Sequence, residues 1–161
     1  MTAGVAAALS VQAAEPRYIF YFIGDGMGMG QVMSARTYAG DVLGRPEAMV
    51  MMQFPFAGML ETRSASSTVT DSAAAGTALA CGKKTDNGML GVESDTTSVS
   101  SIATILHDAG WGVGLVTSVA PDDATPGAFY AHVPSRGMFA EIGRHAAQSG
   151  FVFIGGSAWR G

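Results

Sequence analysis

A chain of 161 residues that is 48% apolar and carries a net charge of −4 can bury one core, which excludes disorder and fits one domain or part of one. Its basic residues are scattered rather than clustered, which excludes tracking of a nucleic-acid backbone. The single cysteine, Cys81, excludes an internal disulfide, has no Cys or His partners nearby, and reads as a small buried apolar residue.

Residues 1–15, MTAGVAAALSVQAAE, are small and apolar up to an Ala-Ala pair, in the manner of a secretory signal ending at a V-x-A or Q-A-A site. They lack the basic start of a complete signal, so the expectation is a leader remnant, with export to the periplasm or the exterior. No segment has the length of a membrane span.

The run YIFYFI, 18–23, is aromatic and β-branched and stops at Gly24, which predicts a fully buried central strand. GDGMGMG must then be loop, and 31–40 recovers helical character. A second strand is expected over 56–61 after Pro55, and an Ala-rich helix over 71–81. From Ser98 to Ala109 the residues Ile102, Ile105, Leu106 and Ala109 share a helical face, Gly110 ends it, and VGLVTSV, 113–119, reads as a strand. Residues 136–149 suit another helix and FVFIGG, 151–156, another strand. Helices alternate with buried strands, the pattern of an α/β fold with a parallel sheet. The chain closes shortly after a strand, where such a fold ordinarily continues, so it reads as truncated.

Three stretches could carry chemistry. Asp25, between Gly24 and Gly26, follows a predicted strand end, where ligands gather in open sheets and glycines let an ion approach. The same residues make a tight Asp-Gly turn equally well, and their spacing is wrong for a dinucleotide loop. In TVTDSAAAGTA, 68–78, Thr70 or Asp71 can cap a helix whose first turn holds Ser72, beside unpaired amides at the positive end of the dipole. That is a phosphate-binding environment, or an ordinary capped helix start. A serine hydroxyl is a poor nucleophile without activation, and neither a G-x-S-x-G elbow nor a triad pattern around the three histidines is present. A metal would then have to activate it.

The third stretch is DDATP, 122–126, followed by AHVPSR, 131–136. Asp123 and Thr125 offer hard oxygen donors for magnesium, and Arg136 a planar fork for two phosphate oxygens. The plainer alternatives are a turn before Pro126, a surface arginine, and a satisfied core histidine at His132.

Taken in order, FIGDGMG, TVTDSAAAGTALACG and DDATPGAFYAHVPSR resemble the alkaline phosphatase family over residues 18 to 136. The resemblance implies an α/β sandwich with a central, largely parallel sheet flanked by helices, of which residues 16–161 would be the N-terminal part. It implies hydrolysis of phosphate monoesters through a phosphoserine, with two zinc ions, one magnesium ion and a candidate homodimer. By the same resemblance Ser72 matches the zinc-bound nucleophile and Asp25 the aspartate between the second zinc and the magnesium. Asp71 matches the residue orienting the phosphate-clamping Arg136, Asp123 and Thr125 the magnesium pair, and His132 a supporting position. The family's later ligands, a glutamate, a D-x-x-x-H motif, an Asp-His pair and a final histidine, have no counterpart in the sequence. The first zinc site therefore lacks all its ligands and the second keeps Asp25 and Ser72. The competing expectations are a non-catalytic fragment that binds metal or phosphate, and a related phosphodiesterase. A sulfatase is disfavoured because Ala73 to Ala75 follow Ser72 where C/S-x-P-x-R would stand.

Overall fold

The computed structural model describes residues 16–161, so the leader expected over 1–15 lies outside the described residues. The first regular element is α1, Met29–Thr37, which widens into one π turn over Tyr38–Val42. Single 3₁₀ turns follow at Pro46–Ala48 and Val50–Gln53. The Gly24–Gly28 loop closes with Met27 N–H donating to Gly24 C=O at 3.2 Å and Gly26 at φ +67°, a left-handed turn that glycine tolerates.

Helix α2, Ser72–Cys81, forms where the Ala-rich run begins behind a capping aspartate, and stops at Gly82 in the left-handed conformation. Its buried face is Ala73, Ala74, Gly76, Thr77 and Ala80. Helix α3, Ile102–Asp108, starts at Ser101, whose hydroxyl accepts from Thr104 N–H and donates to Phe129 C=O at 2.6 Å. It leads through Gly110 to β1, Gly114–Val116. After β1 come the single-turn α4, Ala124–Gly127, the amphipathic α5, Phe139–Gln148, and β2, Phe153–Gly155.

Strands β1 and β2 pair in parallel, Gly114 opposite Phe153 and Val116 opposite Gly155. The helix-to-strand units read over 98–119 and 136–156 are therefore present, joined into one parallel pair. Leu90, Val133, Phe129 and Ile142 fill the core between α2, α4 and α5, with Leu115 and Ile154 packed against it from the sheet.

Two expected strands do not form. Residues 18–23 and 56–61 carry no ladder pairing, and Phe22 and Phe56 are 83% and 90% exposed. A strand needs a partner for its backbone donors and acceptors, whatever its side chains prefer. A cleft of ≈ 1270 Å³ lies between the 18–21 run and β1. Only Ile23 and Tyr21 reach the core from this run, Tyr21 meeting Phe129 edge-on with centroids 6.1 Å apart. Likewise the Ile102 and Leu106 face of α3 lines the cleft. Cys81 is half-buried rather than buried, and burial raises its thiol pKa to about 11.

Candidate active site

Ser72 is the first residue of α2, half-buried, and Asp71 is the cap. Of the two caps read from the sequence the fold uses Asp71: its Oδ1 accepts from Ala74 N–H at 2.9 Å. Its Oδ2 accepts from Gly88 N–H at 3.1 Å and from Arg136 Nη1 at 3.2 Å. Burial pushes the Asp71 carboxyl up, but the Ala74 and Gly88 amides and the Arg136 guanidinium outweigh it and hold the carboxyl below its ordinary range. Among the described residues no protein acceptor takes the amides of Ser72 or Ala73, which leaves two donors beside the hydroxyl at the helix start.

The segment carrying Arg136 lies along residues 88–91. Leu90 and Val133 exchange backbone hydrogen bonds at 3.0 and 2.9 Å, and Arg136 N–H donates to Gly88 C=O at 2.6 Å. His132 belongs to this scaffold. Its ring nitrogen Nδ1 lies 2.8 Å from Gly91 C=O, so Nδ1 carries the proton, while its backbone N–H donates to Nδ1 of His145 at 3.2 Å. Gly91 has φ +59°, and a Cβ there would fall 2.0 Å from Ala131 O, so no side chain fits at this crossing.

Arg136 bridges two carboxylates. Its Nη2 donates to Asp123 Oδ1 at 3.2 Å while Nη1 is on Asp71. Two of its five N–H donors are thereby used, and with its side chain 38% exposed the rest of the fork can still receive an anion.

The structure separates the expected magnesium pair. Thr125 Oγ1 donates to Asp25 Oδ2 at 2.7 Å, joining residues a hundred positions apart at the edge of the cleft. Asp123 is absent from that pair. It caps α4, with Oδ1 accepting from Ala124 N–H at 2.7 Å, and its Oδ2 faces Arg160 Nη2 at 2.9 Å. The neighbouring Asp122, read as a turn residue, is fully buried, and its Oδ2 accepts the backbone N–H groups of Arg160 and Gly161 at 2.8 and 3.0 Å.

Sequence reasoning thus brought together Asp71 with Arg136 and Asp25 with Thr125, and missed Arg160, Asp122 and the 87–88 turn. Asn87 fixes the loop before the nucleophile candidate: its Oδ1 accepts from Asp71 N–H at 3.2 Å and its Nδ2 donates to Val69 C=O at 3.0 Å. Asn-Gly is a strong turn signal, and Gly88 at φ +90° obeys it. No sequence signal marks Arg160.

Asp25, Asp71 and Asp123 outnumber Arg136 and Arg160, so the cluster is net negative and would repel a phosphate dianion without a further cation. Asp25 and Thr125 suit a hard cation such as magnesium. The described residues do not by themselves complete a zinc site: no three His, Cys, Asp or Glu side chains converge among them.

A serine at a capped helix start, an Asp–Arg pair beside it and a hard-oxygen pair at the edge of the cleft thus stand together in an α/β chain. The family model for alkaline phosphatase matches residues 17–152, and the chain belongs to the alkaline phosphatase family. Alkaline phosphatase of Gadus morhua is 34% identical, over 83% of this chain and 31% of that protein. Alkaline phosphatase from the Antarctic bacterium TAB5 superimposes with a TM-score of 0.72 at 37% identity, over 80% of this chain and 36% of that one. A mutant of the TAB5 enzyme with magnesium bound in its M3 site gives 0.68 at 34% identity, over 77% of this chain and 36% of that one. The chain spans about a third of the length of these relatives.

Proposed function

We propose that residues 16–161 are the N-terminal part of a phosphomonoesterase domain in which Ser72 is the residue phosphorylated during turnover. The observation that carries this reading is the placement of Ser72 at the start of α2, directly beside an aspartate bonded to Arg136. Family membership supports hydrolysis of small phosphate monoesters, with nucleic acid disfavoured by the scattered basic residues and a homodimer a further inference from the resemblance.

In this reading the free N–H donors of Arg136 hold two non-bridging oxygens, and Asp71 fixes the orientation of the guanidinium. The amides at the start of α2 face the same phosphoryl group. The bond from Ser72 Oγ to phosphorus forms as the bond to the leaving oxygen breaks, and water then cleaves the phosphoserine to phosphate and free Ser72. Bound zinc would supply the ionisation of the serine hydroxyl. Asp25, Thr125 and, once released from its arginines, Asp123 would hold magnesium. His132 supports the segment that carries Arg136. The two zinc ions would draw their remaining ligands from the two thirds of the family's length that this chain does not span. Export rests on the Ala-rich start alone, and among the described residues no helix is long and apolar enough to cross a membrane.

The test is hydrolysis of an aryl phosphate with zinc and magnesium by the complete gene product, with a diester measured alongside. Ser72→Ala is expected to remove at least about 10⁴-fold of kcat. Full activity in that variant would overturn the assignment, and preference for the diester would favour a phosphodiesterase. A second reading, a chain that binds metal or phosphate without turnover, is favoured for these residues by themselves by the absence of a converging zinc ligand set among those described. Calorimetry with zinc and inorganic phosphate distinguishes it.

A further inference from the structure

Asp123 cannot join Asp25 and Thr125 around a cation while it keeps the partners it has. Both of its oxygens are engaged, Oδ1 by Ala124 N–H and Arg136, and Oδ2 by Arg160 at 2.9 Å. Arg160 is the closer of the two arginines and is held from three directions. Its backbone N–H and that of Gly161 are anchored on buried Asp122, its guanidinium carbon sits 5.3 Å from the Phe139 ring centroid, and its Nη2 meets Asp123. Cation–π stacking and a backbone anchor reduce the entropy the ion pair must overcome. The Asp123 side chain is 13% exposed and that of Arg160 48%, so solvent screens the pair from the arginine side and its strength is modest.

We propose that Arg160 is a positioning residue that holds Asp123 beside Arg136, and that a divalent cation seated on Asp25 and Thr125 must take Asp123 from Arg160. The proposal rests on the reading of Asp123 as a magnesium donor. Arg160 is then an internal substitute cation. It keeps the Asp71–Arg136–Asp123 alignment in place without metal, and it sets the magnesium concentration at which Asp123 changes partner.

Calorimetric titration of magnesium chloride into this chain tests both parts, with Arg160→Gln, Arg160→Lys, Asp123→Asn and the double variant Arg160→Gln/Asp123→Asn. Every Arg160 substitution keeps the backbone N–H groups that bind Asp122, and circular dichroism checks that the fold survives. Arg160→Gln is expected to bind magnesium about five-fold more tightly than the parent, because the competing cation is gone. Arg160→Lys, which retains the charge, is expected to restore most of the parent affinity. The gain is expected to vanish in the double variant. Equal affinity in the parent and Arg160→Gln, together with weaker binding in Asp123→Asn, overturns the role of Arg160 and leaves the metal reading standing. No binding by any of the proteins at millimolar magnesium overturns the metal reading of Asp123, and this proposal with it.

Discussion

Replacing Asp71 with alanine removes three interactions at once, and their sizes can be set separately. Loss of the N-cap to Ala74 costs about 1 kcal/mol. Stranding the half-buried Gly88 amide adds about 1 kcal/mol. The Arg136 pair has side chains 38% and 26% exposed and contributes at most about 1 kcal/mol after screening. The expected loss is about 2–3 kcal/mol, read as a fall of about 1–2 M in the urea midpoint at pH 7 with an unchanged m value. Asp71→Asn is expected to fall between parent and Asp71→Ala. Its oxygen can still cap Ala74, but its amide then points at two donors, Gly88 N–H and Arg136. The difference must also depend on pH. The folded-state pKa of Asp71 lies below its ordinary 3.8, so its contribution is complete above about pH 4 and is lost as pH falls through the depressed folded value. A midpoint for Asp71→Ala within about 0.5 kcal/mol of the parent would refute the reasoning. So would a gap that stays constant to the lowest pH at which both proteins remain folded.

Gly91→Ala places a methyl 2.0 Å from Ala131 O at a φ of +59°, and relief would require breaking the Leu90–Val133 pairing, so a loss of about 3 kcal/mol or more is expected. A thermal melt should show it as a drop of about 10 °C, and an unchanged midpoint would mean that the crossing is looser than it appears. His145 is expected to weaken the fold on acidification: burial lowers its pKa below the ordinary 6.5 despite the neighbouring Glu141, so the neutral ring is the folded form. Its Nδ1 accepts from His132 N–H at 3.2 Å, which requires the neutral ring, while its Nε2 lies 3.3 Å from Glu141 Oε1. Stability is then full above about pH 6.5 and declines as pH falls through the lowered folded value, and His145→Gln should flatten that part of a stability–pH curve.

The helix behind Ser72 was legible because its determinants are local. A capping aspartate, an unbroken alanine run and a glycine stop lie within a dozen residues and need no distant partner. The same holds for α3 with β1 and for α5 with β2, where the apolar period and the closing glycine are adjacent in sequence. Residues 18–23 and 56–61 failed for the opposite reason. Their composition states what a strand would bury, while strand formation depends on a neighbour for the backbone, which composition cannot specify. The site divides in the same way. The nearness of Asp71 to Arg136 and of Asp25 to Thr125 accords with the family resemblance, but the exchange of Asp123 from Thr125 to Arg160 depends on where residues 157–161 dock. That docking is set by buried Asp122, whose sequence context is indistinguishable from a turn.

The small residues that follow Ser72 have a task in packing. Ala73 and Ala74 are 0% and 2% exposed, so they face the core rather than the hydroxyl. A Cβ on Gly76 would lie 3.1 Å from Ala128 Cβ and 3.5 Å from Thr125 Cα, so α2 and α4 approach as closely as their backbones permit. That approach sets the spacing between Ser72 and Asp71 on one helix and Asp123 and Thr125 on the other, and the Arg136 bridge requires it. A larger residue at position 76 would push the helices apart and lengthen both 3.2 Å contacts of Arg136 while leaving every site residue in place. The geometry of the charged cluster is therefore held by the least polar residues of the motif.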